Sequence, residues 1–167
     1  MPKFTYGLTI NLDYKGFDLL VFGQGAGGNM IYQGLRRLDI VNANYQTSVL
    51  NRWTGPGSTN SYPRVTTQDT NQNFSNPSDF NLEKGDYFRF KTIQVGYSFP
   101  KEWIESISLE KVRLYVTGEN MFTITKYSGF DPEIGGTTTV GANNVQGVDR
   151  GYYPQAKSFM LGVNLQF

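Results

Sequence analysis

The chain has 167 residues, with 15 Lys and Arg against 14 Asp and Glu, and neither His nor Cys. A net charge of +1 gives no basic field for nucleic acid. Without Cys or His there are no disulfides, no thiolate chemistry, and neither the commonest general base nor the commonest metal ligand, so neither catalysis nor a cofactor is expected. Aromatic residues reach 15%, with 11 Tyr and 12 Phe, and there are 19 Gly, a mixture that suits pleated strands and tight turns.

In chain order, Phe4, Tyr6, Leu8, Ile10, Leu12 and Tyr14 alternate with Thr5, Gly7, Thr9, Asn11 and Asp13. Period two predicts a strand with one apolar and one polar face. Its length matches the roughly 9–11 residues of a tilted transmembrane strand rather than the roughly 5–6 of a globular one. Lys15-Gly16 supplies a tight turn, and residues 17–23 return as a second strand. Regular patterning then stops over residues 24–84, apart from a short helix expected around residues 31–38. So long a connection is usually functional or disordered.

Strand signals resume over residues 87–99. There Arg89 and Lys91 share parity with Ile93, Val95 and Tyr97, while Phe88 and Phe90 lie opposite. A straight strand would mix charges with aliphatics on one face, so a β-bulge or parity change is predicted near Lys91–Thr92. Pro100 and residues 101–110 form a turn region. In the next strand, 111–125, Val112, Leu114 and Val116 oppose Arg113, Tyr115 and Thr117. A second long loop spans residues 126–156. The last strand, 157–167, sets Phe159, Leu161, Val163, Leu165 and Phe167 against Ser158, Met160, Gly162, Asn164 and Gln166.

The connections run short, long, short, long. Bacterial outer-membrane barrels combine short periplasmic turns with long extracellular loops. If Phe167 ends in the periplasm, both long loops fall outside and both short turns inside. A mean hydropathy of −0.42 does not count against this, because only alternate residues of such strands face lipid. Nor is a signal peptide expected, since Met1-Pro2-Lys3 leads straight into a strand pattern. The expected fold is therefore all-β: about five antiparallel strands of a large transmembrane β-barrel, with long extracellular loops.

At these residues the sequence resembles the C-terminal barrel region of SusC/RagA-like TonB-dependent outer-membrane transporters of Bacteroidota. The resemblance rests on Asn51-Arg52-Trp53-Thr54 with Tyr62-Pro63-Arg64-Val65, on Leu82 through Lys91 running into Val95-Gly96-Tyr97-Ser98-Phe99-Pro100, and on Val112 through Asn120. It continues in Tyr127-Ser128-Gly129-Phe130-Asp131-Pro132-Glu133 and in Gly151-Tyr152-Tyr153-Pro154-Gln155, which leads into the terminal strand. It implies a barrel of about 22 strands with a plugged lumen in the cell outer membrane, a SusD-like surface lipoprotein as lid, energy supplied through TonB, and uptake of a glycan or peptide nutrient. Residues 1–167 are then expected to be the C-terminal part of such a barrel, with plug and N-terminal strands outside the sequence, because five strands cannot close around a plug. A secreted carbohydrate-binding β-sandwich, burying Phe4–Tyr14 against a second sheet, and a passive porin fragment are the alternatives.

Several residues invite a functional role. Tyr45, Trp53, Tyr62 and Phe74 in the first long loop are candidates to stack on a sugar or meet the lid, with packing inside the loop as the competing reading. Asp131 and Glu133, beside Gly135-Gly136, offer oxygen ligands for Ca²⁺, though a turn around Pro132 is the simpler expectation and no metal is predicted. Gly23-Gln24-Gly25-Ala26-Gly27-Gly28 matches a dinucleotide fingerprint, but Asp39 and Asp69 are poorly placed to complete it, so a flexible strand-to-loop transition is expected. Tyr6, Tyr14, Tyr97, Phe159 and Phe167 are expected in interfacial aromatic belts. Arg113 and Glu119 are expected to face the lumen. By resemblance to outer-membrane proteins generally, Phe159, Leu161, Val163, Leu165 and Phe167 form the signal read by the barrel-assembly machinery.

Overall fold

A computed structural model describes residues 1–35, 44–66, 68–105, 109–134 and 147–167. Five strands, β1 (Phe4–Tyr14), β2 (Phe17–Gly27), β5 (Tyr87–Ser98), β6 (Lys111–Thr125) and β8 (Ser158–Gln166), form one antiparallel sheet in the order β1-β2-β5-β6-β8. A second, three-stranded sheet joins β3 (Met30–Gln33) to β4 (Leu82–Lys84) and to β7 (Val148–Asp149), in the order β4-β3-β7. The one short α-helix among the described residues, α1 (Lys101–Ile104), follows Pro100 in the second short connection. No described helix is long and apolar enough to cross a membrane.

The turn chemistry is local. Lys15 and Gly16 have φ of 48° and 86°, as a two-residue hairpin with two left-handed positions requires. That turn pairs Tyr14 with Phe17 and sets the register of β1 on β2.

Across the sheet, directly paired residues share a face. Starting from Leu12 the pairing runs Leu12–Leu19–Val95–Val116–Leu161, and from Tyr14 it runs Tyr14–Phe17–Tyr97–Leu114–Val163. This outward face carries no charged residue on any of the five strands. The opposite face carries Asp18, Arg89, Gln94, Arg113, Thr117 and Glu119.

The parity problem in β5 is solved by bulges. The register shifts between Phe90 and Thr92 against both neighbours, leaving Lys91 unpaired. The shift puts Phe88 and Phe90 outward with Ile93, Val95 and Tyr97, while Arg89 joins Thr92 and Gln94 inside. Strand β6 answers with its own irregularity between Glu119 and Phe122, where Asn120 takes φ 53°. The predicted bulge is therefore present.

Three expectations need correction. The helix expected around residues 31–38 is strand β3 as far as Gln33 and a turn at Gly34-Leu35; the remainder lies outside the described residues. The second strand runs to Gly27, four residues beyond its expected end. Gly23, Gly25 and Gly27 all point outward, and a Cβ on them would overlap the rings of Phe88, Tyr6 and Phe4 respectively. The fingerprint-like glycines are thus a strand floor under aromatic rings from β1 and β5, not a phosphate loop or a flexible transition. Asp39 lies outside the described residues.

Candidate functional site

The outward face is framed by two aromatic rows. At the loop end, Phe4, Tyr6, Phe88, Phe90 and Phe122 form a chain of ring contacts, with centroids 5.1 to 6.4 Å apart. At the turn end, Phe17, Tyr97, Phe99 and Trp103 form another, at 4.6 to 6.2 Å. From Phe88 to Tyr97 the strand advances about 30 Å at roughly 3.3 Å per residue. A tilt of about 40° brings that to about 23 Å, near the roughly 25 Å apolar band of a transmembrane barrel. Between the rows Leu8, Leu12, Val95, Val116, Leu161 and Val163 are all exposed. Of the residues expected in belts, Tyr6 and Tyr97 sit in these rows, Tyr14 neighbours the lower one, Phe159 faces outward at the loop end opposite Gly118, and Phe167 follows the last strand.

The inward face carries two sets of ion pairs. Asp18 on β2 and Arg113 on β6 meet across β5 over Gly96, with Arg113 Nε donating to Asp18 Oδ2 at 2.8 Å and Nη2 donating to Asp18 Oδ1. Any side chain at Gly96 would occupy the space of this pair. Glu119 accepts from the Ser158 hydroxyl at 3.0 Å. Arg113 and Glu119 lie on the side opposite the apolar band, as expected.

Further along the face, Arg89 is 3% exposed and donates to Asp131, to Glu133 at 2.9 Å and to Thr123 at 2.9 Å. Lys91, the bulged residue, donates to Glu133 at 2.7 Å. The second long loop is therefore fastened to β5 by two carboxylates. Burial pushes the Asp131 carboxyl up, but amide donation from Gln155, the Arg89 guanidinium and the Glu133 amide outweigh it, leaving the group below its ordinary value. Asp131 and Glu133, raised as metal candidates, lie against Arg89 and Lys91. Among the described residues no cluster of three metal-ligating side chains occurs, and Gly135-Gly136 lies outside them.

The two long loops are joined to each other. Strand β7 of the second loop pairs in parallel with β3 of the first, and Gly34 N donates to Asp149 O at 2.8 Å. The Asp149 carboxylate is buried and accepts from the Tyr127 hydroxyl, from Gly151 N at 2.8 Å and from Tyr152 N at 3.2 Å. Ile31 and Gln33 are the buried side chains of β3. Sequence patterning missed this junction because strands of two to four residues are too short to show a period.

An open cleft of about 680 Å³ lies in the first loop between residues 53–64 and 71–80. Trp53 and Tyr62 line it; Trp53 N donates to Tyr62 O at 3.1 Å, and the Arg64 guanidinium stacks 5.2 Å from the Trp53 ring. Phe74 is buried beneath, 6.2 Å from Phe80, which meets Tyr62 edge-on at 5.0 Å. Tyr45 is exposed and does not line the cleft. The floor is held by Asp69, whose carboxylate accepts from the amides of Asn73, Phe74 and Ser75 and from the Ser75 hydroxyl. The Ser75 hydroxyl is the main cause of a carboxyl lowered from its ordinary value. Arg64, from the Tyr62–Val65 stretch of the resemblance, also lines it, as do the side-chain amides of Asn60, Asn71, Gln72 and Asn73, which no sequence pattern singled out.

A sheet with an uncharged, aromatic-framed outer face and a paired, polar inner face is a segment of a transmembrane β-barrel. The homologues of the chain are TonB-dependent receptors. TonB-dependent receptor P3 of Formosa agariphila is 32% identical over 169 residues, covering 99% of this chain and 16% of its own length. The TonB-dependent receptor SusC of Bacteroides thetaiotaomicron is 30% identical over 166 residues, covering 96% of the chain and 15% of its own length. No family model matches. Among solved structures, the RagAB peptide importer in its open-open state superposes with a TM-score of 0.76 at 24% identity, covering 100% of the chain and 17% of that protein. Its closed-closed state gives 0.77. The chain thus spans about one-sixth of the relatives it matches. The sandwich alternative required Phe4–Tyr14 to be buried, and all eleven residues are exposed.

Proposed function

We propose that residues 1–167 form the C-terminal wall of an outer-membrane, TonB-dependent nutrient importer, lidded by a SusD-like surface lipoprotein and energised through TonB. The observation that carries this is the division of one sheet into a charge-free face between two aromatic rows and a polar face that bears all its charges, seen alongside homologues that are TonB-dependent receptors. The outward residues of the last strand, Phe159, Leu161, Val163 and Leu165, together with Phe167, serve in this reading as the assembly signal. Exchanging Phe167 for Asp in the full-length transporter should lower its yield in the outer membrane, and an unchanged yield would refute that role.

Between glycan and peptide, the cleft favours a glycan. Trp53 and Tyr62 offer ring faces on which a pyranose can lie, the rim amides of Asn60, Asn71 and Asn73 suit hydroxyl pairs, and no carboxylate lines the cleft to capture a peptide amine. Trp53→Ala in the full-length transporter should weaken binding of the transported oligosaccharide roughly ten-fold. Isothermal titration with an oligosaccharide series and a peptide series decides the class. Tight binding of peptides alone would overturn the glycan assignment.

A further inference from the structure

Lysines mark the loop-side ends of the wall. Lys3 precedes β1, Lys84 ends β4 just before β5, Lys126 follows β6 and Lys157 precedes β8, and all four side chains are exposed. None of them forms an ion pair among the described residues. Their neighbours are the upper aromatic row: Lys157 Nζ sits 5.9 Å from the Phe122 ring centroid, and the Lys3 stem lies along Gly28.

Lys84 and Lys126 go further and share an open groove of about 530 Å³ with Tyr6, Phe88 and Ile124. Those three side chains belong to the outward, lipid-facing set, since Tyr6 and Phe88 both pair with Gly25, and Ile124 pairs with Phe88. Gly25 has no side chain to fill the space between its neighbours, so the stacked rings of Tyr6 and Phe88, 5.8 Å apart and 9° from parallel, form a flat apolar wall. Asp86 and Thr125 also line the groove. Asp86 Oδ1 accepts from Gly28 N at 2.6 Å, and the Thr125 hydroxyl donates to Asp86 O at 2.9 Å. Tyr87 completes the lining, and the Asp86 carboxylate keeps its charge, so the two ammonium groups leave the groove a net charge of +1.

We infer that this groove binds a phosphorylated glycolipid of the outer leaflet, one acyl chain against Tyr6, Phe88 and Ile124 and its phosphate between Lys84 and Lys126. Two features support this occupant. The groove is continuous with the apolar band, so an acyl chain enters it from the bilayer without crossing water. The cations stand where that band ends, at the depth of the headgroup, and lysine is a good point-charge partner for phosphate. Basic residues at a membrane border gain from anionic lipid in the same way. Lys3 and Lys157 extend the same border to either side of the groove.

This inference rests on the transmembrane reading of the wall, and the test separates the two. Full-length transporter, delipidated in detergent, is incubated with monophosphoryl lipid A, with the same lipid after phosphatase treatment, or with inorganic phosphate as competitor, and bound lipid is counted by native mass spectrometry. Barrel integrity is followed in parallel by heat-dependent gel mobility. The phosphorylated lipid should be retained roughly ten-fold better than the dephosphorylated one. K84Q/K126Q should abolish that preference, and K84R/K126R should keep it, both with unchanged mobility. Equal retention of the two lipids, or a preference that survives K84Q/K126Q, overturns the inference while leaving the barrel reading intact. Complete displacement by inorganic phosphate also overturns it, by showing a free-anion site. Absence of a heat-modifiable barrel in the unmutated protein overturns the wall reading and the inference with it.

Discussion

The wall and the loop junction above it solve opposite problems with the same alphabet. In the wall, Leu8, Leu12, Val95, Val116 and Leu161 are exposed, while Arg89 and Thr117 are buried. At the junction of the two long loops the order is conventional for an aliphatic residue, with Ile31 1% exposed, yet its other fully buried side chains are Gln33 and Asp149. The wall is stable only if its outer solvent is hydrocarbon, since so large an exposed apolar surface marks a membrane or partner contact. At the junction the Asp149 carboxylate is held by three donors, because a buried carboxylate is tolerated only when its lone pairs are satisfied. Exposure of apolar side chains is therefore a design feature in one region and would be a defect in the other.

The sharpest way to break this contrast is to place a charge on the wall. Val116→Lys, at the middle of the outward face, should cost about 2–4 kcal/mol in a lipid bilayer, measured by denaturant titration of the full-length barrel in liposomes. Thr117→Lys, one residue away on the opposite face, should cost less in the same assay. Equal costs would mean that the two faces do not see different solvents.

The other side of the contrast is broken at the junction. Asp149→Ala removes the acceptor of the Tyr127 hydroxyl and of two backbone amides, and hydrogen bonds to a charged group contribute about 1.5–3 kcal/mol each. The loss should stay local: faster hydrogen exchange at Tyr32, Gly34 and Gly151, with strand amides of β5 and β6 unchanged. Exchange spreading into the wall would show that the loops and the wall unfold as one unit.

Acid should release the second loop from the Asp131 carboxylate. The Asp131 carboxyl is lowered by its folded-state partners, so its contribution is fully present above its unfolded value of about 3.9. That contribution is lost as pH falls through the lower folded value. Protection of the Gln155 amide, which donates to Asp131, should therefore hold at neutral pH and fall only below about pH 4. Asp131→Asn should remove that pH dependence.

The smallest expected effect concerns the rings over glycine. Tyr6→Leu uncovers Gly25 and forfeits one stacked pair with Phe88, a loss of about 0.5–1.5 kcal/mol, readable as a small shift in the same denaturant titration.

Much of the wall was legible in the sequence. Strands β1 and β6 fall on their expected residues because long alternation carries its own boundary signals. The bulge at Lys91 was legible because Arg89 and Ile93 cannot share a face that meets lipid. The end of β2 was hidden, because Gly23, Gly25 and Gly27 have no side chain to alternate; their outward role depends on rings supplied by β1 and β5, tens of residues away. The cleft was half legible. Trp53 and Tyr62 stood out as aromatics in a polar loop, but Phe74 is buried and only the Asp69 turn, which draws on Asn73 through Ser75, explains why. The pairing of Asp131 with Arg89 crosses 42 residues, and no local pattern records such a distance.

The parallel pairing of β3 with β7 has a mechanical consequence. Two connections that leave the wall at different strands are welded edge to edge, so neither swings by itself; a pull on one is a pull on both. Because the second is also bolted to β5 through Arg89 and Lys91, any force applied to the first loop is delivered to the inner surface of the wall as torque rather than dissipated in a slack tether.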